Sequence, residues 1–134
     1  MAEFKQSVKY EVVIGLTADP IPDEITIFST DNMQYHWQVY AEEFFNKNDV
    51  FVSAIATFGY AIYHHEWGCP VIGEQCLTFH CTANPEFIKD LDVYEKGVIY
   101  ITKKLKKRFR QHTITITKLP ADICYLTDKD NEEE

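Results

Sequence analysis

The chain has little of what marks a secreted, membrane-spanning or low-complexity protein. It holds five glycines and five prolines in 134 residues, too few for a collagen-like or disordered composition. No apolar run approaches the roughly 20 residues that cross a bilayer. The opening MAEFKQSVKY lacks the apolar stretch and cleavage site of a secretory leader. The expected location is therefore cytoplasmic, where the four cysteines (Cys69, Cys76, Cys81 and Cys124) default to reduced thiols although their even number would hint at disulfides in a secreted chain. Positive charge is also scarce, with 13 Lys and Arg against 21 Asp and Glu and a net charge of -8. That balance repels phosphates on average, so neither nucleic acid nor an anionic membrane is an expected partner. No internal repeat points to a solenoid.

What is present is apolar and aromatic: 46% hydrophobic residues and 14% Phe, Trp and Tyr. A domain of this size buries about two thirds of the surface its unfolded chain exposes, so a core forms without staples. One α+β domain is expected over residues 1–127. The acidic tail, 128–134, has nothing to bury and is expected to be disordered.

Val8, Tyr10, Val12, Ile14 and Leu16 alternate with less apolar neighbours, which predicts a strand with one buried face. The segment ADPIPDE, 18–24, reads as a loop, and residues 25–28 as a short extra strand. Asp31 with Gln34 forms a capping pattern ahead of Met33, Trp37, Tyr40, Ala41 and Phe44, which predicts a helix over 32–46 closed by the Asn46-to-Asp49 cluster. Residues 50–67 and 75–82 read as a long β-hairpin turning through Gly68, Pro70 and Gly73. Asp92 and Glu95 then cap a second helix over 93–110, with Tyr94, Val98, Ile101, Leu105 and Phe109 on its apolar face. Thr113 to Thr117 is a strand, interrupted at Pro120, with Ile123 to Leu126 as an edge continuation. The order β, α, β, β, α, β closes most simply as a ferredoxin-like fold: an antiparallel sheet with two helices packed on one face.

The nineteen residues from Tyr63 to Cys81 hold three of the five histidines and three of the four cysteines. Strand period would put His64 and Glu66 on one face, His65 and Trp67 on the other, and Cys76 with His80 on a face opposite Phe79. A general base (His64 or His65), a carboxylate to orient it (Glu66) and further participants (Cys76, His80) are thus the candidate catalytic set if the chain is an enzyme. The plainer reading, a solvated hairpin end with core thiols, is favoured. The Cys69-to-Cys76 spacing is not that of a zinc knuckle, so neither metal nor other cofactor is expected.

The second helix ends in six Lys and Arg within eight positions, 103–110. Cations there complement the helix dipole, and a solvated basic face is the simpler account. The alternative is an anion receptor built from Lys104, Lys107, Arg108 and Arg110, with Trp37 and Tyr63 as aromatic partners. Aromatic residues occur all round the first helix, and the second strand is apolar on both faces. Both features lead to the expectation of a homo-oligomer formed through the sheet.

The stretch KKLKKRFRQHTITITKLPADICYL, with the opening VKYEVVIGL, resembles the end and start of a family of small bacterial proteins of unknown function. In that family a Lys-rich helix ending in Arg-Phe-x-Gln leads into a final strand. The matching residues are Lys107, Arg108, Phe109, Gln111 and the run from Thr113 to Thr117, within segments that make up about a quarter of the chain. The resemblance implies a βαββαβ fold and no activity. The functional expectation is then a non-enzymatic, oligomeric acidic protein that sequesters a small anionic, nucleotide-like ligand or blocks a protein partner. A small hydrolase working through residues 64–81 is the alternative.

Overall fold

A computed structural model describes residues 3–16 and 30–131, with the side chains of 30–32 excepted. The elements run β1 (Lys5–Gly15), α1 (Thr30–Asn48), β2 (Ile55–Ala61), β3 (Glu74–Thr82), α2 (Leu91–Arg108) and β4 (Thr115–Ile123), with 3-10 turns at His65–Trp67 and Asp128–Asn131. The four strands form one sheet in the order β2-β3-β1-β4, every neighbouring pair antiparallel. This is the ferredoxin-like arrangement that the element order implied. The strand expected at 25–28 and the Asp31 cap lie outside the described residues or side chains.

The period-two pattern of β1 is realised as written. Val8, Tyr10, Val12, Ile14 and Leu16 are buried, and Tyr10, Val12 and Ile14 lie opposite Cys81, Phe79 and Leu77 of β3 on the same face. Both helices cover that face. Trp37 of α1 stacks on Phe79 with ring centroids 4.4 Å apart and planes at 14°. Its indole Nε1 donates to the Val52 carbonyl at 3.1 Å. Tyr94 of α2 packs against Tyr10 of β1 at 6.0 Å. The helices meet closely because Gly97 has no side chain: a Cβ there would fall 2.8 Å from both Phe44 and Val52.

Helix α2 starts two residues before the expected place. Asp90 is its N-cap, the carboxylate accepting from the amides of Asp92 at 3.0 Å and Val93 at 3.1 Å. Asp92 becomes a first-turn acid that suits the helix dipole. Its C-terminus is a Schellman motif: the Gln111 amide donates to the Lys106 carbonyl at 3.0 Å and the Arg110 amide to Lys107 at 3.3 Å. The residue between, Arg110, takes φ 52° in the left-handed region usually given to glycine.

The strands depart from expectation as well. Residues 50–54 are not strand, and β2 pairs with β3 only from Ile55 to Ala61. The long hairpin end is therefore a loop, 62–73, with a 3-10 turn inside it. Strand β4 passes through Pro120 without a break, from Thr115 to Ile123. Proline is tolerated there because β4 is an edge strand, with β1 on one side only. Beyond it, the Asp130 carboxylate accepts from the Thr127 amide at 2.8 Å and the Asp130 amide donates to the Thr127 carbonyl at 3.0 Å, closing the turn at Asp128–Asn131. None of the described helices is long and apolar enough to cross a membrane.

Candidate active site

The sheet face turned away from the helices carries the other half of each strand: Lys9, Glu11, Val13 and Gly15 of β1, and Cys76, Thr78 and His80 of β3. At the Gly15 end of this face a cleft of about 370 Å³ opens. Its floor is Val13, Gly15 and Cys76, with Thr115 of β4 and Ala61 of β2 to the sides. The loop between β2 and β3 supplies Tyr63 at one root and delivers Glu74 at the other. The α2–β4 connection supplies Arg110, Gln111, His112 and Thr113.

Two oxygens converge over Gly15. A Cβ at that position would lie 2.9 Å from Glu74 Oε2 and 3.1 Å from Gln111 Oε1. Glycine leaves room here for the ends of two flexible side chains, and its backbone takes no left-handed conformation. The Gln111 amide is oriented by its own nitrogen, which donates to the Phe109 carbonyl at 3.2 Å and so leaves Oε1 toward Gly15. Glu74 is oriented by the Tyr63 hydroxyl, which donates to Oε1 at 3.0 Å. That hydrogen bond is the first cause that pushes the Tyr63 phenol above its ordinary range. The Cys76 thiol is also pushed up, by burial and then by Glu74, and so stays protonated at neutral pH. The cleft is rich in oxygen acceptors and holds no activated thiol, an arrangement suited to a ligand with positive charge or several donors.

The structure brings together three of the residues singled out from the sequence, Cys76, Tyr63 and Arg110, and separates the rest. His64, His65 and Glu66 sit together in the exposed 3-10 turn, outside the sheet and therefore without strand faces. The His64 ring caps that turn, Nδ1 accepting the Glu66 amide at 3.1 Å. His80 lies opposite Ile55, at the far end of β2 from this turn. There it contacts Glu11 at 3.4 Å and Thr57 at 3.1 Å. The expected His/Glu/Cys/His cluster across the hairpin does not form, because pairing stops at Ala61 and Glu74.

The basic set divides similarly. Lys104 lies over the Tyr100 ring at 5.5 Å, and Lys107 and Arg108 are exposed in the last turn of α2. Arg108 faces His36, whose pKa is lowered by burial first and by that guanidinium second. Trp37 is in the core, 5% exposed, and not available as a ligand platform on the cleft side. The residues that sequence reasoning did not single out as site residues are Gly15, Glu74, Gln111 and His112. Only Gln111 left a signal, as part of the Arg-Phe-x-Gln pattern before the last strand.

The chain matches the SAM lyase family over residues 5–127. Two solved structures share its fold. A phage SAM lyase in its apo state has a TM-score of 0.53 at 11% identity, covering 92% of this chain and 91% of that one. A phage SAM lyase in complex with S-methyl-5'-thioadenosine has a TM-score of 0.51 at 12% identity, covering 91% of each chain. Among curated proteins, none matches by sequence. The family match corrects three expectations. The small family that the chain resembles is one named for an activity, not one of unknown function. The non-enzymatic binder that sequesters an anionic ligand or blocks a partner is overturned, because the family and both neighbours are enzymes by name. The hydrolase alternative falls with it, since a lyase breaks its bond without adding water. A match that spans nearly the whole described domain, in a chain with the fold of two such enzymes, places this protein in the SAM lyase family.

Proposed function

We propose that the cleft over Gly15 takes S-adenosylmethionine and that the chain breaks the bond between its sulfur and the Cγ of the methionyl arm. The observation that carries this reading is the pair of oxygens, Glu74 Oε2 and Gln111 Oε1, which stand side by side over Gly15 in the lining of the cleft. A sulfonium is a fixed cation with no proton to donate, so it is held by acceptors placed around it rather than by a directed hydrogen bond. The methionyl ammonium favours the same oxygens, and Arg110 and His112 on the rim suit the substrate carboxylate. One phage neighbour is described in complex with S-methyl-5'-thioadenosine, the thioether left when S-adenosylmethionine loses its four-carbon aminoacyl arm.

The charge balance of the cleavage fits a cleft whose described residues include no activated thiol. If the substrate carboxylate oxygen attacks Cγ, a C–O bond closes a five-membered lactone as the C–S bond breaks. The electron pair goes to sulfur, which leaves as a neutral thioether, and the ammonium is unchanged. No proton moves. Catalysis then consists of folding the methionyl arm so that oxygen, carbon and sulfur line up, a form of proximity catalysis with large effective concentrations available. Glu74 and Tyr63 act by position and charge, which agrees with a Cys76 thiol that stays protonated. An elimination across Cβ and Cγ would instead need a base to take a Cβ proton.

Incubation of the purified chain with S-adenosylmethionine in 18O-water tests the reading, with products resolved by mass spectrometry. The expected products are S-methyl-5'-thioadenosine and an unlabelled four-carbon lactone. Labelled homoserine formed ahead of the lactone would return the chain to hydrolysis. An intact substrate would reject the assignment of the cleft.

A further inference from the structure

Outside the cleft, the β2–β3 loop carries a cluster that the proposed reaction does not use. His64, His65 and Glu66 are all exposed, and one ligand atom from each lies within 4.8 Å of the other two. The two imidazoles stack at 4.5 Å with planes at 25°. Among the described residues this is the one group of three such side chains close enough to share an ion.

We propose that this turn is a binding site for a divalent transition-metal ion of the imidazole-preferring kind: zinc, nickel or copper. Two nitrogens and one carboxylate oxygen form a borderline donor set, which favours these ions over magnesium and calcium, whose sites are built from oxygen alone. In a tetrahedral site with bonds near 2.0 Å, donors stand about 3.3 Å apart. The three atoms therefore have to close by up to about 1.5 Å, which rotation of exposed side chains supplies. The backbone is set for this closure. His64 is extended at φ -66° and ψ 136°, and Gly68 ends the turn at φ 101°, so three successive side chains leave one tight bend. The Nδ1 of His64 already accepts the Glu66 amide, and an ion taken at this ring must displace that amide or turn the ring. Binding is accordingly weaker than at a closed structural zinc site, and solvent fills the remaining positions.

The site comes with a reporter. The Trp67 ring centre is 5.6 Å from that of His64 and 78% exposed, whereas Trp37 is buried in the core. The test uses the full chain, with Zn2+ titrated by calorimetry and Cu2+ followed by tryptophan emission. One Zn2+ per chain and saturable quenching by Cu2+ are expected, with Mg2+ producing neither. His65→Ala should weaken Zn2+ by about tenfold or more and Glu66→Gln by about threefold. Trp67→Phe should abolish the quenching while leaving the Zn2+ heat intact. His80→Ala should change nothing, which excludes the other His–Glu pair, on the open face of the sheet. All four positions are exposed or partly exposed, and circular dichroism checks that each variant folds. Zn2+ affinity unchanged in His65→Ala, or no heat at millimolar Zn2+, would overturn the proposal. The calorimetric readout does not involve turnover, so it stands or falls separately from the assignment of the cleft.

Discussion

The two faces of the sheet are built from the same strands and differ in almost everything else. On the helix-covered face, Val12 and Ile14 are fully buried, and Leu77, Phe79 and Cys81 lie opposite β1 with at most 2% exposure. One residue along, on the open face, stand Glu11, Val13 and Gly15 of β1 with Cys76, Thr78 and His80 of β3. Burial pushes the Cys81 thiol to about 12, which makes it a small core hydrophobe. Cys76, five residues away on the other face, is part of the cleft floor. The covered face carries stability, and the open face carries polar groups and a cleft with room for a ligand.

If that division holds, open-face changes alter turnover with little effect on stability, and covered-face changes do the reverse. The largest expected effect on turnover comes from Glu74→Gln, which removes the charge over Gly15 but keeps the shape. Cleavage of S-adenosylmethionine should fall by about 100-fold or more, equivalent to roughly 3 kcal/mol of transition-state stabilisation. The denaturant midpoint should stay within experimental error. A Glu74→Gln variant with ordinary turnover would remove the cleft from the chemistry.

On the covered face, Trp37→Ala empties a stacked, buried site and leaves the Val52 carbonyl without its indole partner. A loss of about 3–5 kcal/mol in urea unfolding is expected. Turnover per folded molecule should be retained. Gly15→Ala is the sharper test of the boundary between the faces. Its new methyl meets only the ends of two flexible side chains, Glu74 and Gln111. Stability should change by less than about 1 kcal/mol, whereas turnover should drop about tenfold as the two oxygens are pushed apart, about 1.4 kcal/mol.

The smallest effect separates stability and activity at one residue. Arg110→Gly relieves a left-handed backbone and should stabilise the fold by up to about 1 kcal/mol in thermal unfolding. It also removes a positive charge from the rim of the cleft, so the Michaelis constant for S-adenosylmethionine should rise. A variant that is stabilised with an unchanged Michaelis constant would place Arg110 outside substrate binding.

The cleft was far less legible than the fold. Alternation in β1 and the spacing of Tyr94, Val98, Ile101, Leu105 and Phe109 identify buried faces from local sequence, because period alone decides which side chains point together. Counting His and Cys drew attention to residues 64–81, yet the turn at His65–Trp67 leaves the sheet and separates that cluster from Cys76 and His80. Glu74 looks like any polar residue beside a turn. Its role depends on Tyr63 across the loop and on Gly15 beneath it, which lies 59 positions earlier in the chain.

By itself, then, the sequence determined the elements, the core and the ferredoxin-like order, since each rests on periodicity and capping within a few turns of chain. Only the tertiary structure decided where chemistry gathers. Gly15, Glu74 and Gln111 come from three separate segments, and they meet because the β1–β3 register puts Gly15 beside Cys76 and the Schellman turn after α2 swings Gln111 back over the sheet. No local pattern encodes a meeting of that kind, because its distances are set by strand pairing and helix packing across the whole domain.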